Sequence, residues 1–337
     1  MPRIGRLHIA GGCYHLIGRG LERRNIFKED VDKLEFLARL GNSLDRSQMQ
    51  CLAWAIMSNH YHLLIRVGSF PLVNLMSSLL SGFAGHYNRR HQRSGYVFEN
   101  RYKSILCDED SYLLELIRYI HLNPIRANIV TNLEHLDKYH WTSHFSIMEN
   151  TEHAWYSTKE VLTNFGNTRM KAKANYRRFL VNGIQTKNKR NLSGGGLIRS
   201  YGCWEAVLNF RSEHVQCIGD ERILGSSEFV QRALAEDELR IKSAVYLRQH
   251  GWTLNVLVKN VCNFCEISEN ILLSKARENN LSRAKSLICF FGAKNLDLTR
   301  SELAFRLAIS PQAVAKWVKK GQSLCEKENF ELKNIQL

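Results

Sequence analysis

The spacing of apolar residues changes several times along the chain, and each change predicts an element. Residues 7–18 (LHIAGGCYHLIG) read as a strand in which the paired glycines mark a bulge or a close backbone approach. Val31, Leu34, Leu37, Ala38 and Leu44 recur at helical spacing and predict a helix over about 30–46. Two apolar stretches follow, 49–57 and 60–67, with Ser58-Asn59 between them, and two turn-forming residues between strands predict a hairpin. Leu72, Leu75, Met76, Leu79, Leu80, Phe83 and Tyr87 form the long stripe of a second helix, which runs into the basic turn 88–95. A short strand is expected over 102–107. A third helix starts near Asp110 and Ser111, both N-cap residue types, and runs to the region of Pro124.

The order is β-α-β-β-α-β-α, and its first six elements match the split βαβ, ferredoxin-like arrangement. The expected class is α+β: an antiparallel sheet with helices on one face, the third helix being an addition. This domain spans 1–148. Residues 149–200 read as a basic linker with helical pieces, in which Ser193-Gly-Gly-Gly196 is the clearest flexible joint. Residues 201–337 follow a wholly helical pattern.

Composition bounds the possibilities. With 44% hydrophobic residues the chain has enough apolar side chain for real cores, so a mainly disordered protein is excluded. No apolar run reaches 18 residues, which argues against a membrane partner, and the first twelve residues do not resemble a secretory signal. Nine cysteines, scattered and odd in number, fit reduced thiols in the cytoplasm, close to the nucleoid if the partner is DNA. Lys and Arg number 47 against 32 Asp and Glu, a net charge of +15. The excess is +4 over residues 1–150 and +11 over the remainder, so a polyanion-binding surface is expected mainly in the second half.

Two short segments carry candidate chemistry. His60 and His62 project from the same face of a strand, about 7 Å apart along it, where two imidazoles can share a divalent metal. On the third helix, Leu113, Leu116, Ile117 and Ile120 form the core stripe, while Tyr119 and Asn123 share another edge and His121 faces elsewhere. A tyrosine beside an amide ligand suits attack on a phosphodiester, with a metal polarising the phosphoryl oxygens. Taken alone, the two histidines are more often satisfied polar groups than ligands, and Tyr119 reads as a core aromatic with Asn123 a cap before Pro124.

Together these residues carry a resemblance. Ser58-Asn-His-Tyr-His-Leu-Leu64, then Arg118-Tyr-Ile-His-Leu-Asn-Pro-Ile-Arg-Ala127 about 55 residues later, resembles the single-tyrosine HUH transposases, most closely the REP-associated tyrosine transposases. Supporting segments are Cys13-Tyr-His-Leu-Ile-Gly-Arg-Gly20, and Asn100-Arg-Tyr-Lys-Ser104 leading into Asp108-Glu-Asp-Ser-Tyr-Leu-Leu-Glu115. The likeness covers about residues 5–145. It implies Mg²⁺ or Mn²⁺ bound by His60, His62 and Asn123, and Tyr119 as the residue that cleaves single-stranded DNA at hairpin-associated sites and is left with a 5′-phosphotyrosine. Arg19, Arg89, Arg90, Arg101 and Lys103 are the candidate DNA contacts of this domain. The family pattern often has Asn where this chain has Gly18.

In the second half, residues 298–321 read as a helix-turn-helix within a DNA-binding region at about 270–324. Thr299 and Glu302 form a capping box, Leu303, Ala304 and Leu307 face inward, Ala308-Ile-Ser310 is the turn, and Pro311 opens a second helix with Val314 and Trp317 inward. Gln312, Lys316, Lys319 and Lys320 are then free to meet DNA. The segment resembles helix-turn-helix domains attached to longer members of the same transposase group, and its preceding helix, Arg283–Lys294, resembles the DNA-binding domain of the replication initiator DnaA. Cys262 and Cys265 lack further ligands nearby and read as core packing, as do Trp204, Trp252 and the segment 223–230. The expected function is a nuclease and strand transferase acting as a monomer or homodimer on single-stranded, hairpin and duplex DNA. The competing readings are a catalytically silent DNA-binding regulator and a zinc-dependent hydrolase, the latter lacking a carboxylate base.

Overall fold

The computed structural model describes residues 5–68, 70–151, 153–185, 218–274 and 279–335. The Ser193–Gly196 joint and Trp204 lie outside the described residues. The chain divides into two units, one formed by Met1–Asp45, Met49–Val67 and Leu72–Leu234, the other by Arg46–Gln48, Gly68–Pro71 and Ala235–Leu337.

The first unit is α+β. It contains β1 (Cys13–Arg19), α1 (Asp30–Ser47), β2 (Gln50–Ile56), β3 (His60–Arg66), α2 (Val73–Arg90), β4 (Lys103–Cys107) and α3 (Glu109–His121), in the order expected. The strands are arranged β2-β3-β1-β4, and every pair among them is antiparallel, as in a split βαβ sheet. A short fifth strand, β5 (Ile223–Leu224), extends the sheet parallel to β4.

Strand alternation divides the core in two. Tyr14, Leu16, Trp54, Tyr61 and Leu63 meet Phe36, Leu40 and Leu44 of α1 and Leu75, Leu79 and Phe83 of α2 in one cluster. Cys13, Ala53, Ala55, Leu64 and Ile105, on the opposite face, meet Leu116, Ile117 and Ile120 of α3 in another. The sheet is therefore covered on both faces rather than one. The third helix is a structural layer, because the second face is too apolar to be left in water.

Several boundaries differ from the sequence expectation, each for a local reason. The first strand begins at Cys13 because Gly11, at φ 75°, turns the chain and Gly12 N–H closes on the Ile9 carbonyl. Val31 and Leu34 are 48% and 58% exposed; the buried stripe of α1 is Phe36, Leu37, Leu40 and Leu44. The first turn of α1 instead buries Asp32, whose carboxylate accepts from the Lys28 and Glu29 backbone N–H groups. Helix α3 starts after Asp108, not at Asp110 or Ser111, and ends at His121. After Leu122 the chain makes a new turn, α4 (Asn123–Arg126), opened by Pro124, which cannot continue the ladder of α3.

The largest difference lies beyond residue 148. Helices α5 (Leu133–Asp137), α6 (Ser143–Glu149), α7 (Thr158–Leu162) and α8 (Arg169–Gln185) belong to the first unit. The basic stretch read as linker supplies Val161, Leu162, Ala172, Tyr176 and Leu180 to the α3-side core, since its charges lie on the outer faces of helices. Residues 201 onward are not wholly helical either, as Ile223-Leu224 pairs with the edge of β4.

The described residues of the second unit are all-helical, with α9 (Ser227–Gln249) entering from the first unit, then α10 (Leu254–Phe264), α11 (Asn279–Lys294), α12 (Arg300–Leu307) and α13 (Pro311–Glu328). The Thr299–Glu302 capping box is formed: Thr299 Oγ1 accepts from Glu302 N–H and Glu302 accepts from Thr299 N–H. Ala308, in the left-handed region at φ 50°, ends α12, and Ser310 caps α13 ahead of Pro311. Leu303, Ala304, Leu307, Val314, Ala315 and Val318 are buried, and Trp317 packs at the margin. Cys262 and Cys265 sit in the same apolar cluster, where burial pushes the Cys262 thiol up to about 11. Among the described residues no helix is long and apolar enough to cross a membrane.

Candidate active site

The pairing of β1 with β3 assembles the site. Ile17 lies opposite His62 and Arg19 opposite His60, so His15, two residues before Ile17, shares a face with both histidines. His60 and His62 have ring centroids 5.3 Å apart, and His62 is 4% exposed. His62 Nδ1 lies 2.9 Å from His15 Nε2, with the rings stacked 5.1 Å apart. His60 Nδ1 lies 2.6 Å from Asn59 Oδ1.

Helix α3 covers this face and brings Tyr119 to it. The Tyr119 ring stands edge-on to His62 and to His15, 5.8 Å from each. On its other side, the Arg126 guanidinium carbon lies 4.9 Å from the ring centroid. The structure thus brings His60, His62 and Tyr119 of one chain together. Asn123 follows one turn after Tyr119, across the break at Leu122; it is 8% exposed, and its Nδ2 has no partner among the described residues. Tyr112 is half-buried two turns earlier on α3.

Both histidines are neutral at ordinary pH. Burial, reinforced by the charge of Arg19, lowers His60 to about 4. Burial, with His15, His60 and Arg19 adding to it, holds His62 well below the usual imidazole range. Neutral imidazoles are the form that binds a metal. An ion about 2.1 Å from two ring nitrogens holds imidazole centroids roughly 5 Å apart, close to what is found. Among the described residues no three His, Cys, Asp or Glu side chains group to hold a metal unaided, so an ion here needs an amide, Tyr119 or substrate oxygens to complete its shell.

The basic candidates divide. Arg19, Arg89, Arg101 and Lys103 are exposed, Arg19 being the cross-strand neighbour of His60. Arg90 is engaged elsewhere: it pairs with Glu29 at 2.5 Å and, with His91, reaches the buried Asp32. Its charge neutralises the start of α1, which makes it structural. Gln312, Lys316, Lys319 and Lys320 are exposed on α13, in the other unit.

Gly18 has a packing reason. It lies opposite Tyr61, and a Cβ there would come within 2.3 Å of Tyr61 Oη. The position faces the α1–α2 core, away from the histidines, so no side chain on it reaches the site.

Sequence reasoning left out His15, Asn59 and Arg126. Only Asn59 had a local signal, its position directly before His60. His15 required the strand register, and Arg126 the turn at α4. A second polar group was also missed. His121 Nδ1 lies 2.8 Å from Tyr176 Oη, which is 2.7 Å from His144 Nδ1; His144 Nε2 is 2.9 Å from Asp137, which also pairs with Arg177 at 3.0 Å. His121 Nε2 lies 2.6 Å from Ser143 Oγ. This buried chain ties α3 to α6 and α8 on the side away from Tyr119.

Residues 9–123 match the family model of the IS200-like transposases. The matched segment contains β1 through α3 and ends on Asn123, so it encloses His60, His62 and Tyr119; it is about a third of the chain. A match to a transposase family supports a DNA-directed function and a nuclease or transposase class for this segment. Among solved structures, that of a REP-associated tyrosine transposase bound to a REP hairpin matches at 12% identity, covering 47% of this chain and 92% of that one, with a TM-score of 0.37. No curated protein matches the chain.

Proposed function

We propose that the chain is a metal-dependent, single-stranded DNA nuclease and strand transferase acting at hairpin-associated sites, with Tyr119 as nucleophile. The observation that carries this reading is the Tyr119 ring set 5.8 Å from His62, itself paired with His60 on a neutral, buried strand face. Mg²⁺ or Mn²⁺ held by His60, His62 and Asn123 would polarise the scissile phosphoryl group. Tyr119 Oη forms a bond to phosphorus as the P–O3′ bond breaks. The phosphate stays on the 5′ end as a phosphotyrosine, and the 3′-oxygen leaves with a proton. Attack by a 3′-hydroxyl of another strand reverses the step and joins the ends. Arg19, Arg101 and Lys103 offer cations for the approaching backbone, and the α12–turn–α13 unit, read as a helix-turn-helix, offers Gln312, Lys316, Lys319 and Lys320 to duplex or hairpin DNA.

Incubation with end-labelled single-stranded oligonucleotides and Mn²⁺ tests the reading. The wild-type chain should form a covalent adduct, and mass spectrometry should place the phosphate on Tyr119. Tyr119→Phe should bind DNA and form no adduct, while Tyr112→Phe should keep adduct formation. DNA binding with no adduct from the wild-type chain in any divalent metal would favour the silent-regulator reading.

A further inference from the structure

The contact behind His60 fixes which of its ring nitrogens carries the proton, and the contact behind His62 limits it to two arrangements. Asn59 Nδ2 donates to the Arg23 carbonyl at 3.0 Å, so the amide orientation is set and Oδ1 is its acceptor end. His60 Nδ1, 2.6 Å from that oxygen, must therefore be the protonated nitrogen, and Nε2 carries the lone pair. At His62 the partner is another imidazole, and His62 Nδ1 and His15 Nε2, 2.9 Å apart, share one proton. Placed on His15 Nε2, it would leave His62 protonated on Nε2 and unable to bind a cation there; placed on His62 Nδ1, it leaves His15 Nε2 as acceptor and His62 Nε2 bare. His15 is fully buried and stacked on His62, which removes water as an alternative partner.

We infer that Asn59 and His15 are positioning residues that hold His60 and His62 as Nδ1–H tautomers, presenting both Nε2 lone pairs toward Tyr119 as ligands for one divalent cation. The inference rests on the proposed metal site, though its first consequence is visible without metal. Partners of this kind behind metal-binding histidines typically contribute 10- to 100-fold in affinity. They also explain why a two-histidine site suits an ion that arrives with substrate: both lone pairs are aligned beforehand, so the ion does not have to order the rings.

The test is nitrogen NMR on the full chain labelled with ¹⁵N-histidine, metal-free, together with Mn²⁺ titration. Wild type should show His60 and His62 as Nδ1–H tautomers. Asn59→Leu should move His60 to a tautomer mixture, and His15→Leu should do the same to His62, each weakening Mn²⁺ binding by 10- to 100-fold. His15→Gln and Asn59→Asp keep an acceptor oxygen and should restore the tautomer at their own site, which separates positioning from a general loss of packing. Nε2–H tautomers in wild type, or leucine variants that leave tautomer and affinity unchanged, would overturn the inference. Nδ1–H tautomers in a wild-type chain that binds no Mn²⁺ would instead overturn the metal-site reading and leave the tautomer assignment standing.

Discussion

The two units bury polar side chains to different extents. The first buries them: His15, Asp32, His62, His121, Asn123 and His144 all lie within its cores, nearly every one satisfied by a neighbour on another element. The second unit's core is mainly Leu, Val, Ile, Phe, Ala and cysteine, with Asp237, Lys285 and Ser286 among its buried polar residues, while Gln312, Lys316, Lys319 and Lys320 are exposed. Burying a polar group costs free energy unless it is paired, so a unit that buries many is built around fixed geometry. A face that keeps its cations exposed suits long-range, salt-sensitive attraction. The same chain thus separates a dry site, where atoms must be held, from a wet face, where charge suffices.

The sharpest way to break that contrast is at the histidine pair. His60→Ala or His62→Ala should abolish cleavage while single-stranded DNA binding survives, because phosphate contacts by Lys and Arg supply most of the affinity. Parallel gel-shift and cleavage assays on each variant check this; undiminished cleavage by the double variant in EDTA would remove the dry site from the chemistry altogether.

A second prediction concerns the core on the opposite face of the same sheet. Gly18→Asn, which installs the residue common in the resembled family, drives a Cβ into Tyr61 and should cost about 1–3 kcal/mol, read as a lower denaturant midpoint at unchanged m-value. Unchanged stability would mean that the Tyr61 ring has room to move.

The third prediction follows from the buried histidines. Burial, against the opposing pull of Asp137, leaves the His144 pKa lowered, so unfolding lets it take up a proton at pH values below the ordinary imidazole pKa of about 6.5. The unfolded state then binds more protons than the folded one, and stability falls as pH drops below that value. Denaturation midpoints measured down the pH scale should show this slope, and His144→Gln should flatten it.

The smallest effect belongs to the wet face. Replacing Lys316, Lys319 and Lys320 by Gln should leave cleavage of a short single strand unchanged and reduce the salt slope of duplex binding by up to about 2.7, at about 0.9 per lost phosphate contact. An unaltered slope would make the α13 lysines ordinary surface charge.

The sequence alone determined the elements whose signals are local. The periods over α2 and α3, the turn between β2 and β3, the Thr299–Glu302 box and the Pro311 start each depend on residues within a few positions of one another. The same holds for the candidate site: two histidines on one strand face and a tyrosine on a helix edge follow from the periods of 2 and 3.6. Only the tertiary structure decided the rest. The first turn of α1 exposes Val31 and Leu34 because a distant pair, Arg90 and His91, makes a buried Asp32 affordable there. The stretch 150–185 reads as linker by charge yet completes the second face of the sheet, since burial there is set by what α3 leaves uncovered. His15 reaches His62 only through the β1–β3 register, and a side-chain contact between residues 47 positions apart leaves no mark on the residues around either one.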